Sequence, residues 1–465
     1  MAQTPADSTM TVPPGIFRQY DVRGVVGVDL YPATAEAIGR AYASLLAERG
    51  VAGAVAVGRD NRPSGSSLRD SLVHGLTTSG VEVVDIGVVP TPLLYWSLHH
   101  CGVVGGIQIT GSHNPPEYNG FKLSLGSASL HGPDIQRLRE LAATGRPDAA
   151  AKASVVHEDV IDRYIEDIVE RVGPLSRPLR VVVDCGNGAG ALVAPELFRR
   201  LGVRMHGLYC ESDGRFPNHH PDPTVVENLQ DVIAAVRADG ADAGIAFDGD
   251  ADRLGVIDER GEIIWGDHVL ILYARDVLAR TGRGQPIIFD VKCSQALPHA
   301  VSEAGGRPIM WKTGHSLIKE KMRELSAPLA GEMSGHMFFT EGFYGHDDAL
   351  YGAARLLRIV ADAGRSIGEL LADVPKFVST PELRVDCPDD RKFELVGRAV
   401  EHFRRTHEVI DVDGARVLFG DGWGLVRASN TQPILVLRYE ARAQDRLDAI
   451  RAEFEGWLRT QGVRV

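Results

Sequence analysis

The chain is predicted to be a multidomain α/β protein, with three domains built on one strand–helix–strand plan and a smaller fourth domain of α+β type. Three observations carry this prediction. The length, 465 residues, suits three or four domains. One pattern occurs three times, beginning at Gly53 (GAVAVGRDNRPSGSSLRDSLVHGLTTSGVEVVDIG), Leu179 (LRVVVDCGNGAGALVAPELFRRLGVRMHGLY) and Gln285 (QPIIFDVKCSQALPHAVSEAGGRPIMWKTG). From about residue 380 onward the pattern stops.

Each copy opens with a β-branched run, as expected of a strand buried on both faces. A polar or Gly-rich loop follows, then about three turns of helix-period sequence, then a second apolar strand. The helices should end at Gly80, Gly202 and Gly305, where a left-handed residue closes the last turn. Strand, helix, strand implies mixed or mostly parallel sheets with ligand loops after the strands. The copies start over 100 residues apart, so the repeat is of whole domains. The tail reads as strands at 383–386, 417–419, 424–428 and 434–439 and helices near 391–406 and 443–459. Breaks at 141–154, 258–261 and 372–382 divide the chain into domains 13–155, 156–260, 261–373 and 374–465.

Composition narrows the function classes. Acidic residues number 62 against 50 basic, a net charge of −12 that argues against nucleic-acid or anionic-membrane partners. The five cysteines are scattered and never in CxxC spacing, which disfavours a disulfide framework or zinc site and suits a reducing cytoplasm. Residues 1–10 lack a basic n-region and an apolar h-region and are expected to be a disordered tail, not a signal peptide. No run approaches the 18 apolar residues of a membrane span.

Four loops could carry chemistry. In ITGSHNPPEYNGFK (109–122) a β-type run delivers Ser112 to a turn stiffened by Pro115 and Pro116. That places one hydroxyl on a rigid, exposed tip, as a nucleophile or phosphate carrier requires, although a plain Ser/Asn/Pro turn has the same composition. In FDGDADR (247–253), Asp248 and Asp252 would stand about 13 Å apart in a straight strand. They can share a Mg²⁺, with ligands at about 2.1 Å, only if the chain curls at Gly249 and Ala251. The alternative is a solvated strand face. GEMSGH (331–336) sets Glu332, Ser334 and His336 among glycines, apt for sugar hydroxyls. RASNTQP (427–433) offers Arg427, Ser429, Asn430 and Thr431 as a phosphate nest. KTGHSLIK (312–319) adds His315 at a helix start. One such loop falls in each inferred domain, as a cleft between domains would need.

In this order the motifs resemble those of the α-D-phosphohexomutases, specifically the bacterial bifunctional phosphomannomutase/phosphoglucomutase branch, from about Gly15 to Leu458. The resemblance implies three similar α/β domains and a TATA-binding-protein-like fourth, arranged as a heart around a central cleft. It implies a phosphate carrier at Ser112 and Mg²⁺ on Asp248, Asp250, Asp252 and the Ser112 phosphate. Glu332, Ser334 and His336 would hold the sugar, Arg253 the transferring group, and Arg427, Ser429, Asn430 and Thr431 the distal phosphate. FRQYDVRG (17–24) would bring Tyr20 and Arg23 to the cleft, and Lys122, Lys292 and His315 also fall on family positions; Arg23, Lys122 and His315 are the expected acid/base group. The implied reaction moves phosphate between C1 and C6 of mannose or glucose phosphates through phosphoserine and a 1,6-bisphosphate. The implied partners are hexose phosphates alone, and a cytoplasmic monomer is expected. Gln19, where an acid is common, is the one slight departure.

Other readings stay open at this stage. TGSHNP and NGFKL, in place of SASHNP and NGIKFF-like sequence, count against a phosphoglucosamine mutase. GHDDAL (345–350) faintly resembles the last motif of haloacid-dehalogenase phosphatases, which leaves the Ser112 loop unexplained. A non-catalytic sugar-phosphate sensor should lack a catalytic group, and a structural protein should not carry a motif in every domain.

Overall fold

Runs of Val, Ile, Ala and Gly form the sheet centres, because small and β-branched side chains pack on both faces of a buried strand. A computed structural model of the chain describes residues 12–146, 148–430 and 432–465. The tail 1–10 and Thr431, both singled out above, lie outside the described residues.

Four sheets follow one another. The first runs Val22–Val25, Tyr118–Leu125, Gly105–Ile109, Val55–Arg59, Val83–Val88, Val155–His157, with Ala128–Ser129 added on Tyr118–Leu125. The second runs Ile263–Ile264, Leu254–Ile257, Ala243–Phe247, Arg180–Asp184, Arg204–Leu208. The third runs Arg307–Trp311, Pro286–Asp290, Leu329–Gly331, Met337–Phe339. In each, helix-connected strands pair in parallel, and one strand then turns back on itself as an antiparallel hairpin. The fourth sheet is antiparallel throughout, with Ile434–Ala441 at its centre and the helices Asp389–Phe403 and Gln444–Thr460 completing the domain.

Gly80, Gly202 and Gly305 do close their helices, at φ of +83°, +81° and +84°. Two helices are shorter than the three turns expected. The second copy forms a 3₁₀ turn, Ala189–Leu192, before the helix Ala194–Arg200, because Ala189 N is drawn to Gly249 O at 2.8 Å. The third helix is Ala296–Glu303, since the carbonyls of Val291 and Cys293 before it are taken by Arg416. The tail strands lie at Leu383–Asp386, Ala415–Leu418, Gly422–Ala428 and Ile434–Ala441, close to expectation; Val378–Ser379 and Glu408–Ile410 are additional. Among the described residues no helix is long and apolar enough to cross a membrane.

One continuous apolar core joins the first three domains. It runs from Trp96 through Tyr164 and Ile168 to Phe247, Leu270 and Leu356, threaded by the amphipathic helix Ile161–Val172. The last domain has its own core around Tyr439 and Phe454 and meets the third through a small patch of Val291, Trp423 and Leu425. Arg416 reinforces that patch. It is fully buried, stacks 3.7 Å over Trp423 and donates to Val291 O at 2.6 Å and Cys293 O at 2.7 Å. Burial pushes its pKa down to about 10, still well above neutrality.

Arg416→Met should strand those two carbonyls without solvent and destabilise the docking by about 2–4 kcal/mol. Hydrogen exchange should report faster opening of 415–441 with 180–260 unchanged. Equal protection in both segments would contradict this account of the junction.

Candidate active site

The buried strand Gly105–Ile109 delivers the chain to Thr110, Gly111 and Ser112. Arg62, itself fully buried, reaches under this loop. Its guanidinium donates to Ser112 O (2.8 Å), Asn114 O (2.6 Å), Pro115 O (2.5 Å) and Tyr118 O (3.0 Å), and its Nε to Asp60 Oδ2 (3.1 Å). Asp60 Oδ2 also accepts from Gly111 N at 3.1 Å. Irregular backbone is thus satisfied from below, and Ser112 sits at φ +48°, a conformation a serine rarely holds unaided.

The sequence reading put Ser112 on an exposed tip. In the structure it is only 3% exposed, because the acidic loop of the second domain closes over it. Gly249 approaches so closely that a Cβ there would lie 2.4 Å from Ser112 O. Ser112 Oγ donates to Asp248 Oδ2 at 2.9 Å and lies 3.1 Å from His113 Nδ1.

The acidic loop curls as a shared cation requires, though chiefly at Ala251, whose φ is +57°. Gly249 serves close approach. Asp248 Oδ1 accepts from the backbone N–H of Asp252 (3.0 Å) and Arg253 (3.1 Å), tying the curl shut. All three carboxylates are fully buried and offer oxygens within 4.8 Å of one another. Lys122 Nζ donates to Asp250 Oδ2 at 2.8 Å and Asp252 Oδ2 at 2.5 Å. Asp250 Oδ1 and Asp252 Oδ1 have no partner.

Burial pushes Asp248 well above the carboxylate range, and the charges of Asp252 and Asp250 add to the shift. Burial acts the same way on Asp250, but Lys122 and the hydrogen bonds from Lys122 and Thr91 more than reverse it and hold Asp250 low. Lys122, despite burial, is raised well above its usual value by Asp250 and Asp252. Burial and nearby cations keep His113 and His315 well below the usual imidazole range.

The third domain adds the loop between Leu329–Gly331 and Met337–Phe339. Arg253 Nε donates to His336 Nε2 at 3.1 Å, linking this loop to the acidic one. Glu332 Oε1 accepts from Gly314 N at 2.5 Å, leaving Oε2 beside Ser334 Oγ at 3.5 Å. Burial raises the Glu332 pKa. His315 lies 6.1 Å from His336 between ring centres.

Of the remaining predicted residues that are described, all but Arg23 form a second group at the fourth domain. Tyr20 donates to Thr313 O at 3.0 Å and accepts from Asn430 Nδ2 at 2.7 Å, so it touches the third and fourth domains at once. Arg427 Nε is held by Asp413 Oδ2 at 3.0 Å, and Ser429 Oγ accepts from Gln432 N at 3.2 Å. Lys292 pairs with Glu382 at 3.0 Å, and Arg23 with Asp21 at 2.5 Å.

Comparison with known proteins agrees with the four-domain fold. Models described as phosphoglucomutase/phosphomannomutase alpha/beta/alpha domains I, II and III and C-terminal domain match residues 14–147, 162–261, 265–377 and 382–456. The chain belongs to the phosphoglucomutase/phosphomannomutase family. A phosphomannomutase/phosphoglucomutase of Pseudomonas aeruginosa is 48% identical over 97% of this chain and 96% of its own. The crystal structure of a phosphoglucomutase/phosphomannomutase family protein from Burkholderia thailandensis matches with a TM-score of 0.89 at 45% identity, covering 97% and 98% of the two chains. An N-acetylphosphoglucosamine mutase of Aspergillus fumigatus, solved with GlcNAc-6P and magnesium, shares the fold at a TM-score of 0.59 and 16% identity over 88% and 84%. The protein is therefore an enzyme, and its activity is that of a hexose-phosphate mutase.

Sequence reasoning missed several residues of this family member's site. Asp60 and Arg62 were visible only as a polar loop after the first repeat strand, and nothing local says that Arg62 turns inward. Thr91 and Thr110 both donate to Asp250 Oδ2, at 2.5 and 3.1 Å. Asp347 faces both histidines, 3.6 Å from His315 Nδ1 and 3.5 Å from His336 Nδ1. The GHDDAL run containing it had been weighed only as a phosphatase motif.

Arg62→Met should remove the support of the Ser112 carbonyl while keeping a long apolar stem. Misplacement near 1 Å can lower a rate by on the order of 10²-fold. Steady-state kinetics should show kcat falling to that extent with KM little changed, and wild-type kcat in this variant would exclude the support role.

Proposed function

We propose that Ser112 carries the phosphoryl group and hands it to the free hydroxyl of a hexose 1- or 6-phosphate. The observation that carries this reading is the buried Ser112 hydroxyl, fixed at φ +48° and 2.9 Å from Asp248 among three carboxylates. The residues fit Mg²⁺. Asp248, Asp250 and Asp252 are hard oxygen donors, and two of their oxygens have no other partner. With an oxygen of the Ser112 phosphate they would hold the ion, which when bound supplies charge neutralisation and orients the phosphoryl oxygens.

In the transfer the bond from Ser112 Oγ to phosphorus breaks as the sugar oxygen bonds to it, and the sugar hydroxyl loses its proton. Such a reaction is helped mostly by positioning and by positive charge. Arg253 and Lys122 supply fixed cations at the acidic loop. Lys122, clasped by two carboxylates, serves as cation and proton donor within the acid/base group expected from sequence. His336 Nε2 accepts from Arg253 with its one lone pair and is held in place by that contact. His315, held well below the usual imidazole range by burial and nearby cations, keeps a free lone pair and is the acceptor for the sugar proton. Arg23 flanks the serine loop from the neighbouring strand, across from Gly120.

The 1,6-bisphosphate then turns by half a revolution and returns its other phosphate to Ser112. Arg427, Ser429, Asn430, Thr431, Tyr20 and Lys292 bind the distal phosphate. Glu332 and Ser334 grip O3 and O4, which occupy similar places in both poses, so mannose and glucose phosphates both serve. Glucose or mannose 1,6-bisphosphate accordingly restores the phosphoserine as activator. The reading is completed by a cytoplasmic monomer whose partners are hexose phosphates and not nucleic acid, in keeping with free cysteines and a net charge of −12.

Three measurements test this. The peptide containing Ser112 should carry one added phosphoryl mass, and Ser112→Ala should stay folded yet lose nearly all turnover; an active variant would remove the carrier. Chelation should abolish turnover and Mg²⁺ restore it, with Asp250→Asn demanding more Mg²⁺; wild-type rates in chelator would sink the metal assignment. Losing one buried polar contact costs about 1–3 kcal/mol, so Glu332→Ala should lower kcat/KM roughly 5- to 150-fold for glucose 1-phosphate and mannose 1-phosphate alike. A difference between the sugars of about tenfold or more would refute recognition through O3 and O4.

A further inference from the structure

Cys185 follows directly on the strand Arg180–Asp184, and Cys210 lies just past the neighbouring parallel strand Arg204–Leu208. Parallel neighbours run about 4.8 Å apart. Cys185 N donates to Leu208 O at 3.1 Å, so the two cysteines leave adjacent strand ends. Tyr209 then takes φ +53°, a left-handed step that folds Cys210 back over the end of the sheet. The two sulfurs come to 3.3 Å and share a hydrogen bond; Cys210 Sγ also lies 3.4 Å from Leu208 O. Both thiols are free. Cys185 is wholly buried, whereas Cys210 is half-buried.

The pair is unsymmetrical. Hydrogen bonding from Cys185 lowers the pKa of Cys210, while the same bond and burial raise Cys185 well above the usual thiol range. Ionisation therefore falls first on the less buried sulfur, with a protonated resolving thiol in contact.

Cys210 also begins a segment that reaches the first domain. Asn61 Nδ2 donates to Ser212 Oγ at 2.9 Å and to Asn187 O at 2.7 Å. Gly214 lies so near that a Cβ would stand 2.3 Å from Asn61 O and 2.6 Å from the Cα of Arg62. The Phe216 ring lies 5.1 Å from the Arg62 guanidinium. Whatever moves Cys210 moves the cover over Arg62, and Arg62 holds the Ser112 loop.

We propose that Cys185 and Cys210 are a peroxide-oxidisable dithiol whose closure to an intramolecular disulfide loosens the Arg62 support of the Ser112 loop and lowers mutase turnover. The Cys210 thiolate attacks hydrogen peroxide, forming an S–O bond as the O–O bond breaks and hydroxide leaves. The Cys185 sulfur then attacks the sulfenic sulfur; the S–S bond forms, the S–O bond breaks, and water leaves with the Cys185 proton. Two thiols and one peroxide become one disulfide and two waters, with two electrons passing from sulfur to oxygen. The sulfurs must close from 3.3 Å to about 2.05 Å. Cys185 is held in the sheet, so the Cys210 segment makes the movement. The effect on turnover rests on the Ser112 reading; the cross-link itself does not.

The full chain treated with hydrogen peroxide should yield a single cross-linked pair of peptides carrying Cys185 and Cys210, two hydrogens lighter than the reduced pair. Turnover should fall by on the order of 10-fold and return with dithiothreitol. Cys210→Ser should keep wild-type turnover and lose the response to peroxide. Ser112→Ala should form the cross-link unchanged, so a failed carrier assignment leaves this readout intact. Absence of the 185–210 cross-link overturns the proposal, as does a complete cross-link with unaltered kcat.

Discussion

Three carboxylates, a lysine and a serine hydroxyl share one buried space between the first two domains, and the rest of the structure is arranged so that this space can exist. Like charges about 4 Å apart repel by about 4 kcal/mol per pair even at an effective dielectric near 20. Lys122 answers part of that repulsion through its contacts with Asp250 and Asp252. The backbone answers more of it, since Asp248 Oδ1 takes two N–H groups from its own loop. What remains is a pair of carboxylate oxygens, on Asp250 and Asp252, without a hydrogen-bond partner, a fitting place for a divalent cation and a phosphoryl group. Arg62 closes the arrangement from below, because a serine in the left-handed region needs its carbonyl and those of its neighbours held.

The four functional loops occupy one architectural position. Each connects a buried strand to an antiparallel partner: Gly105–Ile109 to Tyr118–Leu125, Ala243–Phe247 to Leu254–Ile257, Leu329–Gly331 to Met337–Phe339, and Gly422–Ala428 to Ile434–Ala441. A loop closed by a hairpin is gripped at both ends by ladder hydrogen bonds, so its side chains are set by the sheet and not by loop mobility. The different chemistry of the four loops, hydroxyl, three carboxylates, a single buried acid and arginine, is written onto equivalent scaffolding.

How the domains are joined sets the fourth apart from the other three. The first three share a continuous apolar core, which binds the serine, acidic and sugar loops into one unit. The fourth is attached through a small apolar patch and buried arginines whose partners are mostly carbonyls. Directional contacts of this kind can be released and remade with little loss of core packing, so movement of the fourth domain would part the Arg427 loop from the third domain while leaving Ser112 and the acidic loop undisturbed.

The sequence by itself determined the repeat plan, the α+β tail, the left-handed glycine at each repeat helix end, and which loops hold reactive side chains. Those features are local: hydrophobic period, Gly and Pro placement, and clusters of residues close in the chain. It also tied a shared cation to a curl in the acidic run, since an extended strand cannot bring Asp248 to Asp252. Only the tertiary structure decided that Ser112 is buried, since its cover comes from a loop more than 130 positions away, by way of Gly249 and Asp248. Arg62, Thr91 and Asp347 join the site for the same reason: their partners are remote in sequence, and nothing in their neighbours marks them. That Lys122, expected in the acid/base group, is also a clasped cation was decided on the same grounds, because the charge state of a buried group is set by what surrounds it in space.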